Sequence, residues 1–182
     1  MADVPNQHHW LAGEPMNAAR MNEIATTIDW LRNPPMVHVG RTLSNQALTG
    51  TNATNVVSFD TLFNSYDPYD MWDAATPTKL TCTVPGWYDV GFAAIVSVDA
   101  NNARVITEIT KNSIVQTDAL TRFDAISLPN SGNIGVRTNS LIFLNVGDFI
   151  SLLVIFTSAT ARNLLASSNS ESPRLQLRWV SN

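Results

Sequence analysis

Cysteine is almost absent from this chain: Cys82 is the only one in 182 residues. No disulfide can form within the chain, so its fold does not depend on an oxidising compartment. Cys82 lies in the alternating stretch Leu80, Thr81, Cys82, Thr83, Val84. That is the setting of a small buried thiol, and no histidine or acid stands near it in sequence to make it a nucleophile. Lysine is also scarce, with Lys79 and Lys111 alone. Charged residues make up 14% of the chain and the formal net charge is -4. Such a balance gives no electrostatic footprint for nucleic acid or for an anionic membrane surface. Long apolar runs are missing too. The most apolar stretch, residues 149–156, is strand length and falls far short of the ~18 residues of a membrane span. The opening MADVPNQHHW has neither a positive n-region nor an apolar h-region, so it does not read as a secretion signal.

Groups able to do chemistry are few and scattered. Glycoside hydrolysis needs two carboxylates facing each other across a cleft. Glu108 and Glu171 have no evident partner, and Asp67, Asp70 and Asp73 share one short loop. His8, His9 and His38 are all expected outside the β core, and no Ser-His-acid set suggests itself. Adjacent His8 and His9 would point apart on a strand, which suits no metal. The loop acids lack EF-hand spacing and a glycine, so calcium is the lesser reading of them. The expectation is a protein that is not an enzyme and has no cofactor, metal or catalytic residue.

What is present is alternation. Hydrophobic residues are 45% of the chain, well above the disordered range, while Asn, Thr and Ser together exceed a quarter. The clearest strand follows the turn signal Pro85-Gly86. Tyr88, Val90, Phe92, Ala94, Val96 and Val98 fall on one face of it, and Trp87, Asp89, Gly91, Ala93, Ile95 and Ser97 on the other. The first face is core. The second is half apolar, as though it meets something other than water. Further strands are expected over residues 36–43, 55–59, 80–84, 104–110, 114–123, 134–144, 149–156 and 173–180, with turn signals between them. Residues 46–55 and 158–172 read as polar loops. The strand at 149–156 is apolar on both faces. Phe149, Leu153 and Ile155 on its second face imply a cover, most simply another subunit. The fold class is all-β: an antiparallel jelly-roll sandwich preceded by one short N-terminal α-helix.

That helix is expected over residues 15–32, with Pro15 at its first position and Asn33-Pro34-Pro35 as its stop. Met21, Ile24, Ile28 and Leu31 are spaced 3, 4 and 3, forming a short seam, and Trp30 lies off it. The helix reads as a docking peg rather than as part of the sandwich.

Four short patterns carry a resemblance. They are residues 83–90, TVPGWYDV; residues 104–112, ending in ITKN; residues 144–148, LNVGD; and Leu175, Leu177, Trp179 and Val180 at the end. In this order they resemble the C1q/tumour-necrosis-factor jelly roll. Ser113 departs from the pattern, where that family usually has glycine. The resemblance implies a homotrimer. Residues 9–22, HWLAGEPMNAARMN, with residues 30–35, WLRNPP, resemble the N-terminal segment of small tail or fibre proteins of bacteriophages, especially those of actinobacterial hosts. This second resemblance implies a virion protein made in the host cytoplasm and displayed on the particle surface. Residues 1–35 would attach it to other virion proteins of tail or capsid through Trp10, Met21, Ile24, Ile28 and Leu31. Residues 36–182 would form a trimeric knob with Phe149, Leu153 and Ile155 between copies. Loops at 63–73 and 128–133, with Phe63, Tyr66, Tyr69 and Trp72 foremost, would touch a host receptor or glycan. A minor tail or fibre protein is the first expectation and a capsid-mounted head fibre or decoration protein the alternative. A soluble C1q-like binding module outside any virus is the remaining one. No nucleic acid and no membrane insertion are implied.

Overall fold

The computed structural model describes residues 16–50, 53–97, 104–115, 122–126, 133–156, 162–166 and 172–181. Helix α1 spans Ala18–Arg32, starting three residues later than its pattern suggested. The reason is a cap: Asn17 stays extended and its side-chain oxygen accepts the Arg20 N–H at 3.0 Å. The strands that follow are β1 Met36–Gly40, β2 Gln46–Leu48, β3 Ala53–Val56, β4 Thr61–Leu62, β5 Leu80–Thr81, β6 Gly86–Ser97 and β7 Arg104–Lys111. They continue as β8 Ile114–Val115, β9 Arg122–Ile126, β10 Asn133–Leu144, β11 Phe149–Phe156, β12 Arg162–Leu164 and β13 Arg174–Ser181.

All pairings are antiparallel and form two sheets. One has seven strands in the order β2-β12-β6-β13-β1-β4, with β10 along the other edge of β6. The long β6 serves three neighbours because β13 covers its first part and β12 meets only Val96. The second sheet runs β3-β11-β7-β8, with β5 on β11 and β9 on β7. Between the sheets lies one core. Tyr88, Val90, Phe92, Ala94 and Val96 of β6 face Ile150, Leu152 and Val154 of β11 within it, together with Leu175 and Leu177 of β13. The alternation of β6 thus sorts its side chains as the sequence indicated.

Several expectations need correction. Two stretches expected to be loops contain strands: β2 and β12, which pair with each other. The strand expected at 55–59 is the earlier β3, with Val57 and Phe59 still buried beyond its end. The one at 114–123 is two strands, β8 and β9, both on β7. The one at 80–84 shortens to β5, since Cys82 turns its N–H to the Asp148 carbonyl at 2.7 Å.

Motifs far apart in sequence meet at one end of the sandwich. The turn at 111–114 places Asn112 at φ 53 and Ser113 at φ 67. Asn112 donates to Asp148 at 2.7 Å and accepts the Phe149 N–H at 3.0 Å. Lys111 pairs with Asp148 at 2.9 Å. The LNVGD and ITKN patterns are therefore one hydrogen-bonded corner. Nearby, Tyr88 donates to the Val84 carbonyl at 2.6 Å and the Cys82 thiol to the same oxygen at 2.9 Å.

Candidate functional site

The helix is tied to the sandwich by Trp30, which lies off its seam. Trp30 is buried, with its ring edge-on to Tyr69 at 5.8 Å and to Trp179 at 5.3 Å. Both partners come from positions fixed by other contacts. Trp179 lies in the second half of β13, and its indole N–H donates to the Pro85 carbonyl at 3.3 Å while its backbone N–H donates to the Pro35 carbonyl at 2.8 Å. Tyr69 donates to the Asn33 carbonyl at 3.1 Å. Burial, then the neighbouring Tyr66, raises its pKa, so it stays a phenol at neutral pH. The seam is left outward: Met21 and Ile28 are 56% and 42% exposed and Ile24 is half-buried. Trp10 and the Leu31 side chain lie outside what the structure describes. An aromatic clasp thus fixes one end of a helix whose apolar stripe remains available.

The aromatics of the loop at 63–73 are turned toward the chain itself. Phe63 stacks against His38 at 4.7 Å and under Arg174 at 5.0 Å. Tyr66 and Tyr69 hold Asn33, and Trp72 packs on the core. The acids shape the loop. Asp67 accepts the N–H groups of Met71 and Trp72 at 2.9 and 2.8 Å, and Asp73 that of Ala75 at 2.8 Å. Outward on this loop are Asn64, Ser65, Pro68, Asp70 and Asp73. The other loop named from sequence, 128–133, lies outside the described residues except for Asn133.

Phe149, Leu153 and Ile155 are half-buried within a single chain. Lys79 already lies over the Phe149 ring at 4.4 Å, and on β7 both faces are buried, Ile106, Glu108 and Thr110 included. The more open apolar surface is elsewhere, on the outer face of the seven-stranded sheet. Trp87 and Phe143 are register partners, 39% and 38% exposed, with rings edge-on at 5.5 Å. Leu141, one outward position along β10, is 54% exposed. These two β10 residues escaped sequence reasoning. The half-apolar second face of β6 was the signal, and its cross-strand partners were the missing part.

Along the same face, past the Asp89–Arg178 ion pair at 3.2 Å, the sheet dips. Gly91 and Ala93 form the floor of a depression of about 430 Å³. His38 at its rim has a pKa lowered by burial and then by Arg174, so it is neutral at pH 7.

Comparison with solved structures identifies this arrangement of strands. The chain is similar to the globular domain of zebrafish complement 1qA protein, at 16% identity and TM-score 0.53, over 81% of this chain and 99% of that one. It is also similar to murine APRIL, at 12% identity and TM-score 0.54, over 79% of this chain and 97% of that one. The fold is the C1q/TNF-like jelly roll. No family model matches the chain. No curated protein matches it either. Within this jelly roll, the expected motifs sit where the fold uses them: TVPGWYDV opens β6, and the LNVGD turn leads into β11.

Proposed function

We propose that the chain is a structural protein of a bacteriophage particle, a trimeric knob carried by its N-terminal segment and displayed outward. The observation that supports this most is the state of α1. Met21 and Ile28 of its stripe are exposed and Ile24 is half-buried, while Trp30 is clasped against the jelly roll by Tyr69 and Trp179. An apolar helical stripe facing water is a surface for a partner. The resemblance of the leader makes that partner a virion protein, with Trp10 and Leu31 extending the same contact. A minor tail or fibre protein is the reading adopted. A capsid-mounted head fibre or decoration protein differs from it in what the leader binds.

Three copies would meet on the outer face of the seven-stranded sheet, through Trp87, Leu141 and Phe143. The patch of Phe149, Leu153 and Ile155 is the second placement, and the two separate cleanly. Phe143→Glu should dissociate the assembly and Leu153→Glu should not, if the first placement holds. Host contact, with a cell-surface receptor or glycan, would fall to Asn64, Ser65, Pro68 and Asp70 more than to the inward aromatics of the same loop.

The test is reconstitution on particles that lack the protein. Purified full-length chain should attach to them and be detected on the particle surface by antibody. A Met21→Asp, Ile28→Asp variant of unchanged thermal stability should stay in solution. Wild-type chain that remains unbound, or a variant that binds as well, contradicts the reading.

A further inference from the structure

Helix α1 is poorly suited to stand as a helix by itself. Thr26, Thr27, Ile28, Asp29 and Trp30 run in succession, and none is a strong helix former. Its first turn carries no acid, while Asp29 lies in its last turn, the wrong end for the helix dipole. The Thr26 hydroxyl bonds back to the Asn22 carbonyl at 2.9 Å, a contact that bends a helix more than it firms it. At 15 residues α1 has the length at which even alanine-rich helices are marginal in water. The Asn17 cap steadies its first turn, and tertiary contact has to supply the rest.

That contact lies at the other end, in a socket whose walls are braced independently of the helix. Tyr69 and Trp179 are the walls around Trp30. Residues 83–86 hold both of them. The Thr83 hydroxyl donates to the Tyr69 carbonyl at 3.0 Å, and the Pro85 carbonyl accepts the Trp179 indole N–H at 3.3 Å. Gly86, at φ 147, leaves the space into which the Trp179 indole fits. Among the described side chains of α1, Trp30 is the one that is buried. Just past the helix end, the Tyr69 and Tyr66 phenols donate to Asn33 at 3.1 and 3.4 Å. Pro34 and Pro35 stiffen the joint that follows.

We infer that this socket folds α1 ahead of its encounter with a partner. Trp30 is a positioning residue. It touches the chain's own rings, and it acts on docking by keeping Met21, Ile24 and Ile28 in one helical stripe. A partner then meets a formed surface, and docking does not carry the ordering cost of a segment that folds on binding. The inference rests on the reading of α1 as a docking arm and deepens it.

Two measurements on the full-length chain separate the steps. Hydrogen exchange reads the folding of α1, and attachment to particles lacking the protein reads docking. In Trp30→Ala, amide protection over residues 21–29 should fall about a hundredfold or more while β6 and β10 stay within about threefold of wild type. Attachment should weaken about tenfold or more, since the ordering cost returns. Trp30→Leu, which keeps more apolar volume, should show the same pattern at smaller size. Adding Thr26→Ala and Asp29→Ala, both at exposed positions, to Trp30→Ala should restore part of the protection and part of the attachment by raising helix propensity. Protection of α1 that survives Trp30→Ala overturns the inference. So does protection lost equally from β6 and β10 in both Trp30 variants, because α1 would then be part of the core. Regained protection without regained attachment overturns the positioning role, since Trp30 would itself touch the partner. Wild-type chain that fails to attach contradicts the docking arm instead, and exchange alone then decides whether the socket folds α1.

Discussion

Ser113 holds a left-handed backbone at φ 67, next to Asn112 at φ 53. Asparagine tolerates that region, and serine pays about 1 kcal/mol or more for it. Ser113→Gly should therefore stabilise the chain by about 0.5–1 kcal/mol, part of the gain being returned as unfolded-state entropy. Chemical denaturation reads this, and a loss of stability would contradict the strain. Gly86 is the opposite case. At φ 147 it is left-handed, and a Cβ there would run into the Trp179 indole and the Ser181 carbonyl. Gly86→Ala should cost about 2 kcal/mol or more by the same measurement. Asp148 gives the pH dependence. Burial alone would raise its pKa, but hydrogen bonds from Asn112, Lys111 and the Asn145 N–H overcome this and pull it from 3.8 to about 2. The folded value lies below the unfolded one. Its stabilisation is thus full above about pH 4 and disappears as pH falls through about 2. Asp148→Asn should lower the thermal midpoint near neutral pH and converge on wild type at the acid end. A gap that stays constant with pH would contradict the assignment. These positions were partly legible from sequence. Pro85-Gly86 announced a turn, but that Gly86 lies beneath Trp179 depends on β13, whose pairing with β6 is tertiary.

At the scale of elements, Trp30 decides how α1 sits. Trp30→Ala removes a buried indole wedged between Tyr69 and Trp179 and should cost toward the lower end of about 3–5 kcal/mol. Hydrogen exchange should then show α1 losing protection while β6 and β10 keep theirs. Equal loss in all three would mean that the helix is integral to the core. The helix itself was readable from its 3, 4, 3 seam and its Pro-Pro stop. Its docking residue was not, because one off-seam side chain near the C-terminus leaves no trace in periodicity. The strands β2 and β12 were missed for a related reason. Each has three residues, too few for a period of two to declare itself, and each is stabilised by the other from across the chain. The long strands β6, β7, β10, β11 and β13 were legible because alternation had eight or more residues to act on.

For the whole molecule, the sandwich followed from sequence, and its outward surfaces followed only in part. The apolar second face of β11 suggested a subunit cover, yet Phe149, Leu153 and Ile155 are half-buried within one chain, with Lys79 over the first of them. The half-apolar second face of β6 also carries open apolar surface, since Trp87 pairs there with the exposed Phe143. Composition can say that a face is not purely solvated, but which neighbour completes the patch is a matter of register. The proposed trimer places the contact between copies on that face. Its most direct test is the mass of the full-length protein in solution by light scattering. The account predicts three times the 19.9 kDa of one chain. A mass of one chain at micromolar concentration would contradict it.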